Sequence, residues 1–223
     1  MREIILDTET TGLSPAGGDR VVEIACLELL NCVPTGNTFH RYINPERSVP
    51  AEAFAVHGLS EEFLGGHPVF GDIAPDFLAF IGDARLVIHN ADFDLGFLNH
   101  ELARLGLDRL SAPVEDTLRL ARRRFPGAPA SLDALCRRFE IDLTRRDKHG
   151  ALVDCELLAA VYLELTGGRQ VGFEFAGSSR REGGTAAAPR TMRPARPHHP
   201  SEEELAAHAG LLKGLKDPIW QTD

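Results

Sequence analysis

The chain has 223 residues, 43% of them hydrophobic, and a formal net charge of −9. That is enough for one sizeable packed domain with additional segments, and the acidic balance argues against tight, autonomous nucleic-acid binding, which needs a basic footprint. Cys26, Cys32, Cys136 and Cys155 show no C-x-x-C spacing and read as reduced thiols; with no apolar run long enough for a leader or a span, the sequence predicts a soluble, cytoplasmic protein that makes no membrane contact.

Glu3–Thr8, Arg20–Leu30 and Asn37–Asn44 read as strands of an antiparallel meander, with a turn-rich Asn31–Gly36 joining the second to the third. Residues 45–70 read as loop-rich, with a short helical piece near Ser60–Leu64 that Ser60 caps. Beyond them come a helix over Ile73–Ile81, a short strand over Arg85–His89 and a helix over 91–105. Val114–Arg124 reads as a helix stopped by Pro126-Gly127, Ser131–Phe139 as one capped by Ser131, and Ala151–Leu165 as one stopped at Gly167-Gly168. Three strands followed by alternating β and α elements predict a mixed α/β sheet flanked by helices over residues 1–167. That segment carries 16 Lys/Arg against 26 Asp/Glu, a net −10. Residues 168–200, at net +4, read as a flexible linker, rich in Gly, Ala, Arg, Pro and Ser from 176 onward.

Residues 201–223 form a separate tail. Ser201 followed by Glu204 is a capping box, and Leu205, Ala209, Leu212 and Leu215 then mark one apolar face, with acids early and Lys213 and Lys216 late, as the helix dipole favours. Pro218 stops this helix and leaves Ile219 and Trp220 exposed. A short helix on a linker has no core of its own, so its apolar face predicts docking into a groove on a partner.

The chemistry starts at I-I-L-D-T-E-T-T-G, residues 4–12. On a strand, Asp7 and Glu9 point to the same side, roughly 6.6 Å apart along the chain. Two like charges on one strand end make sense when cations sit between them. A second acidic site is H-N-A-D-F-D at 89–94. Helical spacing from Asp94 reaches Phe97, Leu98, Leu102 and Leu105, so Asp94 falls in a buried stripe, whereas Asp92 lies on the outer face as a helix-dipole charge. An ionised acid in an apolar stripe needs a partner or a metal. Asp154 sits in the same way with Leu157, Leu158, Val161 and Leu165, and Gly150 places His149 on the loop before that helix. An imidazole beside several carboxylates is placed to take a proton from water.

Together D-T-E-T-T-G-L at 7–13, H-N-A-x-F-D at 89–94 and H-G-A-L-x-D at 149–154 resemble, in order, the three motifs of the DEDD-type 3′→5′ exonucleases, in the branch with a histidine in its third motif. The likeness covers residues 1–167, and no catalytic position departs from the pattern. It implies a ribonuclease H-like fold, with Asp7, Glu9, Asp94 and Asp154 binding two Mg²⁺ or Mn²⁺ ions and His149 as general base. Ala51–Leu64 resembles the segment of bacterial polymerase-III proofreading subunits that contacts the terminal nucleotide, which implies Glu52 and His57 as substrate contacts. Thr10 and Leu13, beside the metals, are further candidates to hold the 3′ nucleotide of a single DNA strand. Asp116-Thr117 also resembles the family, with a helix-start role the better reading.

Gln170, Phe173 and Phe175 resemble the sliding-clamp-binding peptides of this family. The E-E-L-A-A-H run and Trp220 resemble the tail that docks on the alpha subunit of DNA polymerase III, with Leu205, Leu212 and Trp220 as anchors; this places the protein in the replisome, hence at the nucleoid. Whether a third small core subunit binds stays open. An exoribonuclease or oligonucleotide-trimming relative shares the same metal site, and a non-catalytic adaptor between polymerase and clamp is a reading of another class, against which the intact acids and His149 argue.

Overall fold

The computed structural model describes residues 1–144, 149–167 and 199–214. Gln170, Phe173, Phe175, Leu215 and Trp220 lie outside the described residues.

A five-stranded mixed sheet has the order β3-β2-β1-β4-β5. The strands β1 (Arg2–Thr10), β2 (Val21–Leu30) and β3 (Val33–Tyr42) form the antiparallel meander. β4 (Arg85–Ile88) runs parallel to β1, and β5 (Val114–Asp116) parallel to β4. The helices are α1 (Ala51–His57), α2 (Glu61–Gly65), α3 (Phe70–Ile81), α4 (Ala91–Arg104), α5 (Thr117–Arg124), α6 (Leu132–Arg138) and α7 (Ala151–Leu165), with α8 (Glu202–Gly214) in a separate compact unit. The mixed α/β sheet read from the sequence is therefore the architecture observed.

β1 is buried on both faces, and its alternation sorts the two layers. Ile4 and Leu6 pack with Phe77 of α3 and Phe97, Leu98 and Leu102 of α4. Ile5 faces the opposite layer, with Leu135 of α6 and Cys155, Leu158 and Val161 of α7. A central strand can carry such an unbroken apolar run because neither face meets water. Tyr162 of α7 donates its hydroxyl to Glu3 at 2.9 Å, so even the acid at the start of the strand is satisfied.

Four boundaries differ from the sequence reading. The turn after β2 is only Asn31-Cys32, both at positive φ (52° and 64°), and β3 begins at once at Val33; left-handed pairs of this kind match the twist of a tight hairpin. Residues 51–57, read as loop, form α1, which follows Pro50 and ends on Gly58 at φ 75°. α3 starts at Phe70 rather than Ile73. Val114–Asp116, read as helix, is a strand that pairs with β4, and the helix starts only after Asp116, whose carboxylate accepts from the Leu118 and Arg119 amides. The caps predicted at Ser60 and Ser131 are present, each accepting an amide three residues on. In α8, Ser201 and Glu204 cap each other reciprocally, and Leu205 and Leu211 are exposed while Leu212 is half-buried.

One buried ion pair bolts α4 to the meander. Arg20, just ahead of β2, meets Glu101 in a two-pronged contact at 2.6 and 2.9 Å, with both residues under 10% exposed, and Arg20 also donates to the Pro45 carbonyl. Removing one partner of such a pair strands the other charge. Glu101→Ala is expected to lower unfolding free energy by about 3–5 kcal/mol, read as a shift in the urea midpoint; a shift equal to that of a surface Glu→Ala control would show that the pair does not anchor α4.

Candidate active site

The site lies where β1 and β4 run out and the helices of both layers begin. Asp7 and Glu9 leave β1 on the Ile5 side, as strand alternation requires, and α7 of that same layer brings Asp154. Ligand atoms of Glu9, His149 and Asp154 lie within 4.8 Å of one another. His149 precedes α7 and its Nδ1 is 3.3 Å from Asp154 Oδ2. The His149 amide donates to the Val56 carbonyl at 3.3 Å, which ties the histidine loop to α1.

Asp94 arrives from the opposite layer. It is 3% exposed and accepts from the Thr8 amide (3.1 Å) and the Thr8 hydroxyl (2.7 Å), on the residue between Asp7 and Glu9. The helix-phase argument that separates Asp94 from Asp92 agrees with this placement: Asp92 is largely exposed and pairs with Arg119 at 2.5 Å. The electrostatic consequence is large. Burial, then the charges of Asp94, Glu9 and Asp154, push Asp7 well above the usual carboxylate range. Burial pushes Asp94 up to about 7 despite the opposing Thr8 hydrogen bonds. Carboxyl groups this crowded and this dry form a hard, all-oxygen donor set with one imidazole beside it, which suits divalent cations such as Mg²⁺ or Mn²⁺.

Two hollows flank the acids. The larger, about 530 Å³, is lined by Glu9, Thr10, Leu13, Glu52, His57 and Phe93 among others. Leu13 is 85% exposed at its rim, while His57 is buried, its Nδ1 accepting the Leu59 amide. The Thr10 hydroxyl donates to the Gly12 carbonyl at 2.6 Å. Gly12 itself is required by close approach, since a Cβ there would fall on the Asp19 carboxylate. The smaller hollow, about 250 Å³, is lined by Asp7, His89, Ser131, Leu132, Asp133, His149 and Asp154. Phe93, Thr8 and His89 are additions to the residues read from the sequence; Phe93 and His89 were visible only as the unassigned letters of H-N-A-D-F-D. His67 is half-buried against Tyr42 and Phe63, with ring centroids 5.3 and 4.6 Å away.

The chain is similar to known proteins over most of its length. The exonuclease family model matches residues 4–162. The DNA polymerase III subunit epsilon of Rickettsia felis is 49% identical, over 96% of this chain and 97% of its own. That of Escherichia coli K12 is 44% identical over 95% and 92%. Among solved structures, exonuclease X in complex with 5′ overhanging duplex DNA superposes with a TM-score of 0.60 at 27% identity, covering 74% of this chain and 90% of the other. The nuclease domain of 3′hExo, a DEDDh family member bound to rAMP, gives 0.63 at 18% identity over 74% and 92%, a likeness of fold.

The raised Asp94 pKa has a thermodynamic signature in the protein stripped of divalent ions. Between the ordinary carboxyl value of 3.8 and about 7, the native state retains a proton that the unfolded chain has lost. This group's stabilising contribution is therefore complete below pH 3.8 and is lost as pH rises through about 7. Urea unfolding in EDTA from pH 5 to 8 is expected to show falling stability, and Asp94→Asn to flatten the fall. An undiminished slope in the variant would show that the Asp94 carboxyl does not carry that proton.

Proposed function

Because the chain belongs to the exonuclease family, and along nearly its whole length to the DNA polymerase III epsilon subunits within it, we propose that it is the 3′→5′ exonuclease that proofreads for the replicative polymerase. The observation that carries this reading is the convergence of Asp7, Glu9, Asp94, Asp154 and His149 at the end of one strand. Asp7, Glu9, Asp94 and Asp154 are the residues that hold two divalent ions, Mg²⁺ or Mn²⁺. Such ions, when bound, supply positive charge to the scissile phosphate and acidify the attacking water.

The rest is done by side chains. With Nδ1 turned to Asp154, His149 presents Nε2 as the atom that takes the water's proton. Water adds to phosphorus, the bond to the 3′ oxygen of the preceding nucleotide breaks, and a nucleoside 5′-monophosphate is released. The 530 Å³ hollow falls in the size range of small-molecule sites. It seats the 3′-terminal nucleoside of a single strand, with Glu52, His57, Thr10 and Leu13 around it.

Partners follow from the remainder of the chain. Leu205, Leu212 and Trp220 of the tail dock on the polymerase alpha subunit, and Gln170, Phe173 and Phe175 on the sliding clamp. The exposure of Leu205 on α8 supports the first contact. Tethering replaces intrinsic DNA affinity by effective concentration, which an acidic nuclease needs. A third small core subunit is a further partner that co-purification would reveal.

Excision from a 5′-labelled single strand tests the site. Asp7→Ala or Asp154→Ala is expected to abolish it, Asp92→Asn to leave it nearly intact, and His149→Ala to slow it about 10²–10⁴-fold; near-normal activity in either aspartate variant would sink the assignment. Size-exclusion chromatography tests the tethers. Removal of residues 201–223 is expected to abolish co-elution with the polymerase, and Phe173→Ala with Phe175→Ala to abolish clamp binding, both without loss of single-strand excision. A truncated chain that still co-elutes with polymerase alone would place the attachment elsewhere.

A further inference from the structure

Beside the four acids and the histidine, one more buried carboxylate stands near the site without a task in the mechanism. Glu23 of β2 is 3% exposed. Glu101 and Glu3, buried to a similar degree, are tied by the guanidinium of Arg20 and by the hydroxyl of Tyr162. Glu23 meets neither an arginine nor a lysine among the described residues. Its partner is the imidazole of His40, with Nε2 2.7 Å from Oε1.

Strand register fixes where Glu23 stands. It is directly opposite Glu9 in the β1–β2 ladder, one step before the register shifts at Thr10. Directly opposed residues share a face of the sheet, with Cβ atoms about 4.5–5.5 Å apart. Glu23 thus lies on the α7 side with Asp7 and Glu9, as Ala25, Leu27 and Leu29 do further along β2. Its charge is among those that push Asp7 up. On the other side, Tyr42 of β3 is its ladder partner. The Tyr42 ring packs edge-on to His40, with centroids 4.9 Å apart, and to Phe63 of α2 at 5.0 Å. The imidazole that holds the Glu23 carboxylate is therefore itself held in place.

Like charges directly opposite on two strands destabilise the pair, and burial sharpens the penalty. Stability alone would favour an apolar residue at position 23, of the kind that β2 carries at Ala25 and Leu27. The balance reverses when positive charge arrives at Glu9. A second negative charge across the ladder then favours the cation through the same interaction that penalises the cation-free protein.

We infer that Glu23, oriented by His40, is a positioning residue for the divalent cations, which adds negative charge to their site from behind Glu9. It is not one of the residues whose ligand atoms cluster with Glu9, at His149 and Asp154, and it touches neither the scissile phosphate nor the water. The inference rests on the exonuclease reading above, and its test separates the two.

Full-length wild type, Glu23→Gln and Glu23→Asp are titrated with Mn²⁺, the free ion being followed by electron paramagnetic resonance, and are unfolded by urea in EDTA. Glu23→Gln keeps the shape and can still hydrogen-bond His40, but it removes the charge. It is expected to weaken Mn²⁺ binding about tenfold, as loss of a partner outside the ligand set does. It is also expected to raise the urea midpoint in EDTA, because one of two opposed charges is gone. Glu23→Asp keeps the charge and is expected to recover most of the Mn²⁺ affinity. The Mn²⁺ concentration for half-maximal excision of a 5′-labelled single strand should move with the binding constant. A merely structural role would lower affinity and stability together. Unchanged Mn²⁺ affinity in Glu23→Gln, or a loss of affinity with a urea midpoint that does not rise, overturns the inference. Wild type that binds no Mn²⁺, or excises nothing when Mn²⁺ is bound, overturns the exonuclease reading instead.

Discussion

Crowding of carboxylates at the end of β1 is the constraint around which the domain is arranged. Asp7 is half-buried and within the field of four other acids, Asp94, Glu9, Asp154 and Glu23, an arrangement that costs stability unless cations or protons offset it. The fold tolerates it because β1 is held on every side. β2 and β4 pair with it, and an apolar layer covers each of its faces. A frayed or edge strand could not present two charges at fixed spacing against their own repulsion.

The same strand explains why the acids come from three separate stretches of sequence. Its two faces belong to two layers, and each layer contributes one helical carboxylate: α7 brings Asp154 to the side of Asp7 and Glu9, and α4 brings Asp94 to Thr8 on the other. Arg20 and Glu101 then secure α4, and the His149 amide secures the third motif to α1. The fixed geometry of the site thus depends on contacts outside the acids themselves, as a preorganised site requires.

Much of this was legible in the linear chain because two periods carry it. Alternation put Asp7 and Glu9 on one side, and helical phase put Asp94 inside and Asp92 outside, where Arg119 now meets it. Caps were equally readable at Ser60, Ser131 and Ser201, since a cap is a bond to an amide only a few residues away. The failures share one cause. Val114–Asp116 reads as the start of a helix because nothing local says that β4 waits beside it. α1 reads as loop because seven residues are too few for periodicity to speak.

By itself, then, the sequence determined the class of fold and the order of the three acidic motifs along the chain, because composition, period and motif order are properties of neighbours along the chain. Only the tertiary structure decided that Asp94 is held by Thr8 from the opposite layer, and that Phe93 and His89 line the two hollows. Those facts depend on which distant segments share a strand end, and such proximity is set by packing on both faces of β1, which no local pattern encodes.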